Sequence, residues 1–216
     1  MFKKHLILFS AVMFVSMSVC AQETTVNSVL GLVSLKYITI NTYNCIIDSF
    51  QKSGKKTSAR TMQYIFSRPG YIYIKILRGA NKGSSVIYKD GKVKACMGGV
   101  LSPFKICFKP ENKMVLSIRG DKIYESGWGH SIETIKGLIR QGWQASLEKS
   151  NDINNNYLTV KISSPSSTCD NYFRVEVDPA DNLIKKEEYF ENGELASGTV
   201  FKSIELNIAV NPQLFD

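Results

Sequence analysis

The stretch Ser67-Arg68-Pro69-Gly70-Tyr71-Ile72-Tyr73-Ile74-Lys75-Ile76-Leu77 constrains the fold more than any other part of the chain. Ile72, Ile74 and Ile76 alternate with Tyr71, Tyr73, Lys75 and Leu77, and Pro69-Gly70 stands at the entry. A period of two predicts a β-strand with a purely aliphatic face. Leaving such a face in water is unfavourable, so something must cover it. An ordinary core is one cover; in a strongly curved sheet a ligand is another.

The chain begins like an export signal. Lys3 and Lys4 precede an apolar run over residues 6–15, and Val19-Cys20-Ala21 offers a small-residue cleavage site before Gln22. The run is too short to span a bilayer. A lipid-modified cysteine needs a small residue before it, and Val19 precedes Cys20, so plain cleavage after Ala21 and an unanchored product are expected. Residues 1–21 are thus read as a signal peptide and 22–216 as one domain, large enough to bury a core. Cleavage removes two lysines from a chain of formal charge +8. The remaining basic surplus suits solubility, anionic head groups or an acidic partner protein. Nucleic acid is not expected, because the basic residues are scattered singly and no recognition motif accompanies them.

Export makes disulfides possible among Cys45, Cys96, Cys107 and Cys169. Cys96 and Cys107 flank a turn-rich stretch and could face each other across a hairpin, which would leave Cys45 with Cys169; sequence alone does not fix the pairing. There is no Cys-x-x-Cys, and His130 is the one histidine after the signal, so no metal or other cofactor is expected.

Val26, Val29, Leu30 and Val33 recur at helical spacing and predict a helix over residues 25–37. Strands are predicted over 39–51, 57–67 and the opening stretch, then 86–88 and 92–96 around the hairpin signal Asp90-Gly91, and 104–108 and 114–118. A second helix over 131–149 is expected, with Ser131 as cap and Ile132, Ile135, Leu138, Ile139, Trp143 and Leu147 as its stripe. Four further strands, over 157–163, 172–177, 183–190 and 198–206, complete an antiparallel meander with turns at 178–182 and 191–193.

No catalytic constellation stands out. His130 sits beside Gly129 at a helix start, no Gly-rich phosphate loop occurs, and Glu187-Glu188 beside Lys185-Lys186 reads as a solvated charged face. The residues therefore predict an α+β fold: a curved antiparallel sheet covered by two or more helices, enclosing either a filled core or a concave apolar cavity. In either case Ile72, Ile74 and Ile76 should face the same space as Ile135, Leu138 and Ile139.

Three stretches carry a resemblance. Arg68-Pro69 with its alternating strand, residues 86–92 ending Asp90-Gly91-Lys92, and the ending from Phe201-Lys202-Ser203 through Asn207 and Phe215 resemble the LolA-like superfamily of periplasmic lipoprotein carriers. The resemblance implies a half-open β-barrel-like sheet closed by helices, with acyl chains between sheet and lid. It places Ile72, Ile74 and Ile76 on the lining and Arg68 where a carrier arginine bonds the lid backbone and controls opening. The implied protein is a periplasmic monomer, without cofactor or catalysis, that holds lipid or lipoprotein acyl chains. Regulators of envelope stress share this fold, so the alternative is an envelope sensor that docks a partner protein. Aliphatic lining residues in place of aromatics, Lys52, Lys55 and Lys56 at the first turn, and several cysteines depart from the carriers.

Overall fold

A computed structural model describes residues 25–98, 105–149, 156–165 and 170–216, so the signal segment and its cleavage site lie outside the described residues. Helix α1 (Val26–Ile38) leads into β1 (Thr42–Ser53), β2 (Lys56–Ser67), β3 (Tyr71–Gly79), β4 (Ser85–Lys89), β5 (Lys92–Cys96) and β6 (Lys105–Phe108). A 3₁₀ turn, Ile123–Glu125, precedes α2 (Trp128–Arg140). Then come β7 (Gln144–Lys149), β8 (Leu158–Ser163), β9 (Tyr172–Asp178), β10 (Leu183–Glu191), β11 (Glu194–Leu206) and a last 3₁₀ turn, Pro212–Phe215.

The strands form one antiparallel sheet in the order β6-β5-β4-β3-β2-β1-β11-β10-β9-β8-β7. It consists of two meanders joined where β1 pairs with β11. Edges β6 and β7 do not pair with each other, so the curved sheet is a half-open, barrel-like trough. The helices lie on its concave side, α1 against α2, β10 and β7, and α2 against β8. Local chemistry explains several junctions. Thr25 caps α1 by accepting from the Ser28 amide at 3.2 Å, and Asp90-Gly91 and Asn192-Gly193 adopt the positive φ that tight hairpins need. Among the described residues no helix is long and apolar enough to cross a membrane.

Four expectations are corrected. The helix predicted over 131–149 starts at Trp128 and stops at Arg140, because Gly142 takes φ +88° and turns the chain. Residues from Gln144 then form β7, with Ala145 and Leu147 pairing with Ile162 and Val160. Gly127, not Ser131, is the cap; Ser131 lies one turn inside, and its hydroxyl donates to the Gly127 carbonyl at 3.2 Å. Residues 114–118 form turns closed by local bonds such as Val115 N–H to the Asn112 carbonyl, 3.0 Å, instead of a strand. Cys96 lies opposite Lys105, and Cys107 opposite Lys94, so the two cysteines are out of register and both thiols are free. Cys45 is also free and fully buried, and burial pushes its thiol up to about 12; Cys169 lies outside the described residues.

The core fills the end of the trough beneath the helices. Trp128 is wedged there, its ring 4.4 Å from Tyr43 and 5.5 Å from Phe201, and its indole N–H donates to the Ile184 carbonyl at 3.1 Å. Val29, Leu30 and Val33 of α1 and Ile132 and Ile135 of α2 complete it against Val160, Ile162, Val175 and Val177. Burying each such side chain contributes about 1.5–3 kcal/mol. The wedge requires Gly127: its φ is +83°, and a Cβ there would lie 2.6 Å from the Tyr43 hydroxyl and 2.7 Å from that of Tyr64.

Gly127→Ala should therefore destabilise the fold by about 2–4 kcal/mol, combining left-handed strain with overpacking. Gly31→Ala, in the body of α1 where an added Cβ meets nothing within 4 Å, should stabilise it by about 0.5–1 kcal/mol. Urea midpoints of the two variants should move in opposite directions.

Candidate functional site

Strand register sorts the concave face into rows. Side chains alternate between faces, so residues paired across strands share a face and a level. At the closed end lies Tyr43–Phe66–Ile72–Tyr88–Val93. Next comes Cys45–Tyr64–Ile74–Val86–Ala95, and then Phe201–Ile47–Met62–Ile76. Beyond Ile76 the face turns polar: Glu187–Thr199–Ser49–Arg60 is followed by Tyr189–Ser197–Gln51–Ser58. The trough is aliphatic and aromatic under the helices and polar toward its other end.

A cavity of about 570 Å³ spans this change of character. Ile74, Ile76, Met62, Val86, Leu138 and Phe201 form its apolar wall, with Arg60, Arg119, Glu187 and His130 among its polar residues. Its volume lies in the range of small-molecule sites. The segment after β6 closes one side as a strap. Ile123 is buried, the Tyr124 ring lies 5.4 Å from that of Tyr88, and the Tyr64 hydroxyl donates to the Ser126 carbonyl at 3.2 Å. At its far end Arg119 donates to the Lys52 carbonyl at 2.7 Å and pairs with Glu191.

The residues singled out from the sequence divide. Ile74, Ile76 and Leu138 line the cavity. Ile72 and Ile135 are buried in the core behind it, and Ile139 packs against that core. Arg68 sits at the end of α1: its Nε donates to the Ile40 carbonyl at 2.8 Å, its Nη2 to the Tyr37 carbonyl at 2.9 Å, and its guanidinium lies 5.1 Å from the centre of the Tyr37 ring. The Tyr37 carbonyl is at the negative end of the helix, where a cation is favoured. Asn207 holds the same junction, accepting from the Asn41 amide at 2.8 Å and donating to the Thr39 carbonyl at 3.3 Å.

Glu187 and Arg60 were not legible as cavity residues. The pair Glu187-Glu188 is not a solvated face. Glu188 points outward yet is only 8% exposed, held by Arg174 and Lys186, while Glu187 points into the cavity. Two successive carboxylates on a strand must occupy opposite faces, and that parity was the available signal. Burial pushes the Glu187 carboxyl up to about 7, against a smaller lowering by the Ser131 hydroxyl beside it. His130 Nε2 lies 3.3 Å from Thr134 Oγ1, one turn along α2, an ordinary surface contact. Among the described residues no group of three His, Cys, Asp or Glu side chains is placed to hold a metal.

No family model matches the chain, and no curated protein matches it. Solved structures are similar to it. MucB aligns with a TM-score of 0.52 at 12% identity, over 88% of this chain and 62% of MucB, so the chain spans less than two thirds of that protein. A chain of the Pseudomonas aeruginosa MucA/MucB complex gives 0.46 at 13% identity, over 87% of this chain and 59% of that one. A LolA superfamily protein from Nitrosomonas europaea gives 0.42 at 11% identity, over 89% and 98%. The likeness to MucB is one of fold.

The Glu187 carboxyl supplies a pH test. Its folded value of about 7 lies above the ordinary 4.5, so the folded state holds the proton more tightly than the unfolded chain. Stability should fall as pH rises from about 4.5 to 7 and level off above, a loss on the order of 3 kcal/mol. Glu187→Gln should remove this slope. Urea unfolding at pH 5 and pH 8 should show the variant gaining on the wild type only at the higher pH.

Proposed function

We propose that the protein is an exported, non-catalytic lipid-binding carrier of the LolA-like kind, working in the periplasm as a monomer of residues 22–216. It holds an acyl chain in the cavity between the curved sheet and the helices. The observation that carries this reading is the cavity of about 570 Å³ whose inner wall is Ile74, Ile76, Met62, Val86 and Leu138. Ile72, Ile135 and Ile139 form the packed floor behind that wall. Arg68, bonded to the Tyr37 carbonyl of α1 and the Ile40 carbonyl just after it, acts as the latch that sets how readily the helix lifts. Each methylene taken from water contributes about 0.8 kcal/mol, so a chain of about sixteen carbons reaches micromolar binding after an association cost of about 4 kcal/mol.

A second reading, an envelope module that docks a partner protein, is favoured by the outer face of α1. Leu32, Leu35 and Ile38 are 50, 64 and 68% exposed there, and the exposed positions of the helix carry no charge. A partner bound one to one by lipid-free protein, and lost in Leu35→Asp, would favour this reading.

The carrier reading is tested with a fluorescent fatty acid. The wild type should take it up at micromolar affinity, and Ile74→Ala should weaken uptake by about five- to thirtyfold, the equivalent of 1–2 kcal/mol, with only a small fall in melting temperature. No uptake by the wild type, together with a loss of about 2–5 kcal/mol of stability in Ile74→Ala, would mean that the face covers a filled core.

A further inference from the structure

Most charged groups around the cavity are spoken for. Arg119 is bound by Glu191 and the Lys52 carbonyl, Asp121 accepts from Gln51 and Ser117, and Lys122 lies beside Glu125. Two are not. Arg60 Nε and Glu187 Oε1 are without solvent access and have no hydrogen-bond partner among the described residues. Both residues line the same cavity and stand in the same row of the concave face, with Thr199 and Ser49 between them. Three interstrand spacings, about 14 Å of backbone, keep them from meeting directly. An unsatisfied polar atom costs free energy comparable to a lost hydrogen bond, so one such atom in each of two side chains that line one space calls for a bound counterpart.

The counterpart needs an acceptor or anion for Arg60 and a donor or cation for Glu187. It also needs an apolar body, since the next row toward the helices is Phe201–Ile47–Met62–Ile76 and the one beyond contains Ile74 and Val86. Glu187 itself is bordered on its other side by Val175, so Thr199 within the row and the Ser131 hydroxyl from α2 are its polar neighbours. We infer that the cavity selects a zwitterionic amphiphile: its acyl chain lies on the aliphatic rows, its phosphate meets Arg60, and its primary ammonium donates to Glu187. The inference rests on the lipid-binding reading and narrows it to a head-group class. A quaternary ammonium, which has no N–H, satisfies Glu187 less well.

Displacement of the fluorescent fatty acid from full mature protein tests it with lysophosphatidylethanolamine, lysophosphatidylcholine and lysophosphatidylglycerol of one acyl length, and with phosphoethanolamine alone. The ethanolamine lipid should bind about tenfold more tightly than the choline and glycerol lipids, and phosphoethanolamine alone should not compete. Glu187→Gln should bring the ethanolamine-to-choline ratio close to one, and Arg60→Met should weaken all three lipids. Equal binding of the lipids by the wild type, or a ratio unchanged in Glu187→Gln, overturns the head-group assignment and leaves the carrier reading standing. Competition by phosphoethanolamine alone at the same concentration overturns the amphiphile. Failure of the fatty acid itself to bind removes the carrier reading and this inference with it. Melting temperatures of both variants, measured alongside, separate lost folding from lost selectivity.

Discussion

The Trp128 wedge is the contact on which the arrangement of helices and sheet depends. Its ring stacks on Tyr43, which stacks in turn on Tyr64 at 5.6 Å and Phe66 at 5.1 Å, so the first turn of α2 is tied to the centre of the sheet. Large aromatic surfaces buried together contribute more than their area alone. The indole N–H finds the Ile184 carbonyl on the opposite meander, so the wedge is satisfied as well as packed. Gly127 makes the approach feasible, because a side chain there would meet two tyrosine hydroxyls. With α2 fixed at this point, Leu138 near its other end reaches over Ile74 and Ile76, and a cavity lies between them.

The cavity owes its character to row-by-row ordering of the concave face. Two strands alone, β1 and β2, run from Tyr43 and Phe66 at one end to Gln51 and Ser58 at the other, and each contributes one residue per row. Polarity therefore changes along the strands, not across them. A molecule lying along the strands passes from aliphatic to polar surroundings within a few residues, at 3.2–3.4 Å per residue. That ordering is a gradient of polarity along each strand. The strap reinforces it, bringing Ile123 to the apolar end and Arg119 to the polar end.

Helix α1 is held differently. Its inner face packs through Val29, Leu30 and Val33, but its outer face is also apolar, so burial alone does not fix its orientation strongly. Its C-terminal junction does, through the carbonyls of Tyr37, Thr39 and Ile40 bound by Arg68 and Asn207. Both side chains come from parts of the chain remote in sequence. These bonds lie near the surface, where hydrogen bonds exchange with water more readily than core packing does.

Much of the fold was legible because it is written in short-range periodicity. The alternation at Ile72, Ile74 and Ile76, the stripe of α1, and the Asp90-Gly91 and Asn192-Gly193 turns each depend on neighbours a few residues away, and each is found where the pattern put it. The end of α2 was missed because Trp143 and Leu147 continue a helical stripe by spacing, while Gly142 can adopt a left-handed turn that spacing does not register. The sequence by itself determined an α+β architecture, an aliphatic strand face in need of cover, and an arginine at the entry to that strand. Only the tertiary structure decided that Ile72 belongs to the core while Ile74 and Ile76 reach a cavity, that Arg68 binds the end of α1, and that Glu187 and Arg60 share one row. The physical reason is that these relations depend on the register between strand positions up to 163 apart in the chain and on where α2 is wedged, neither of which a local pattern encodes.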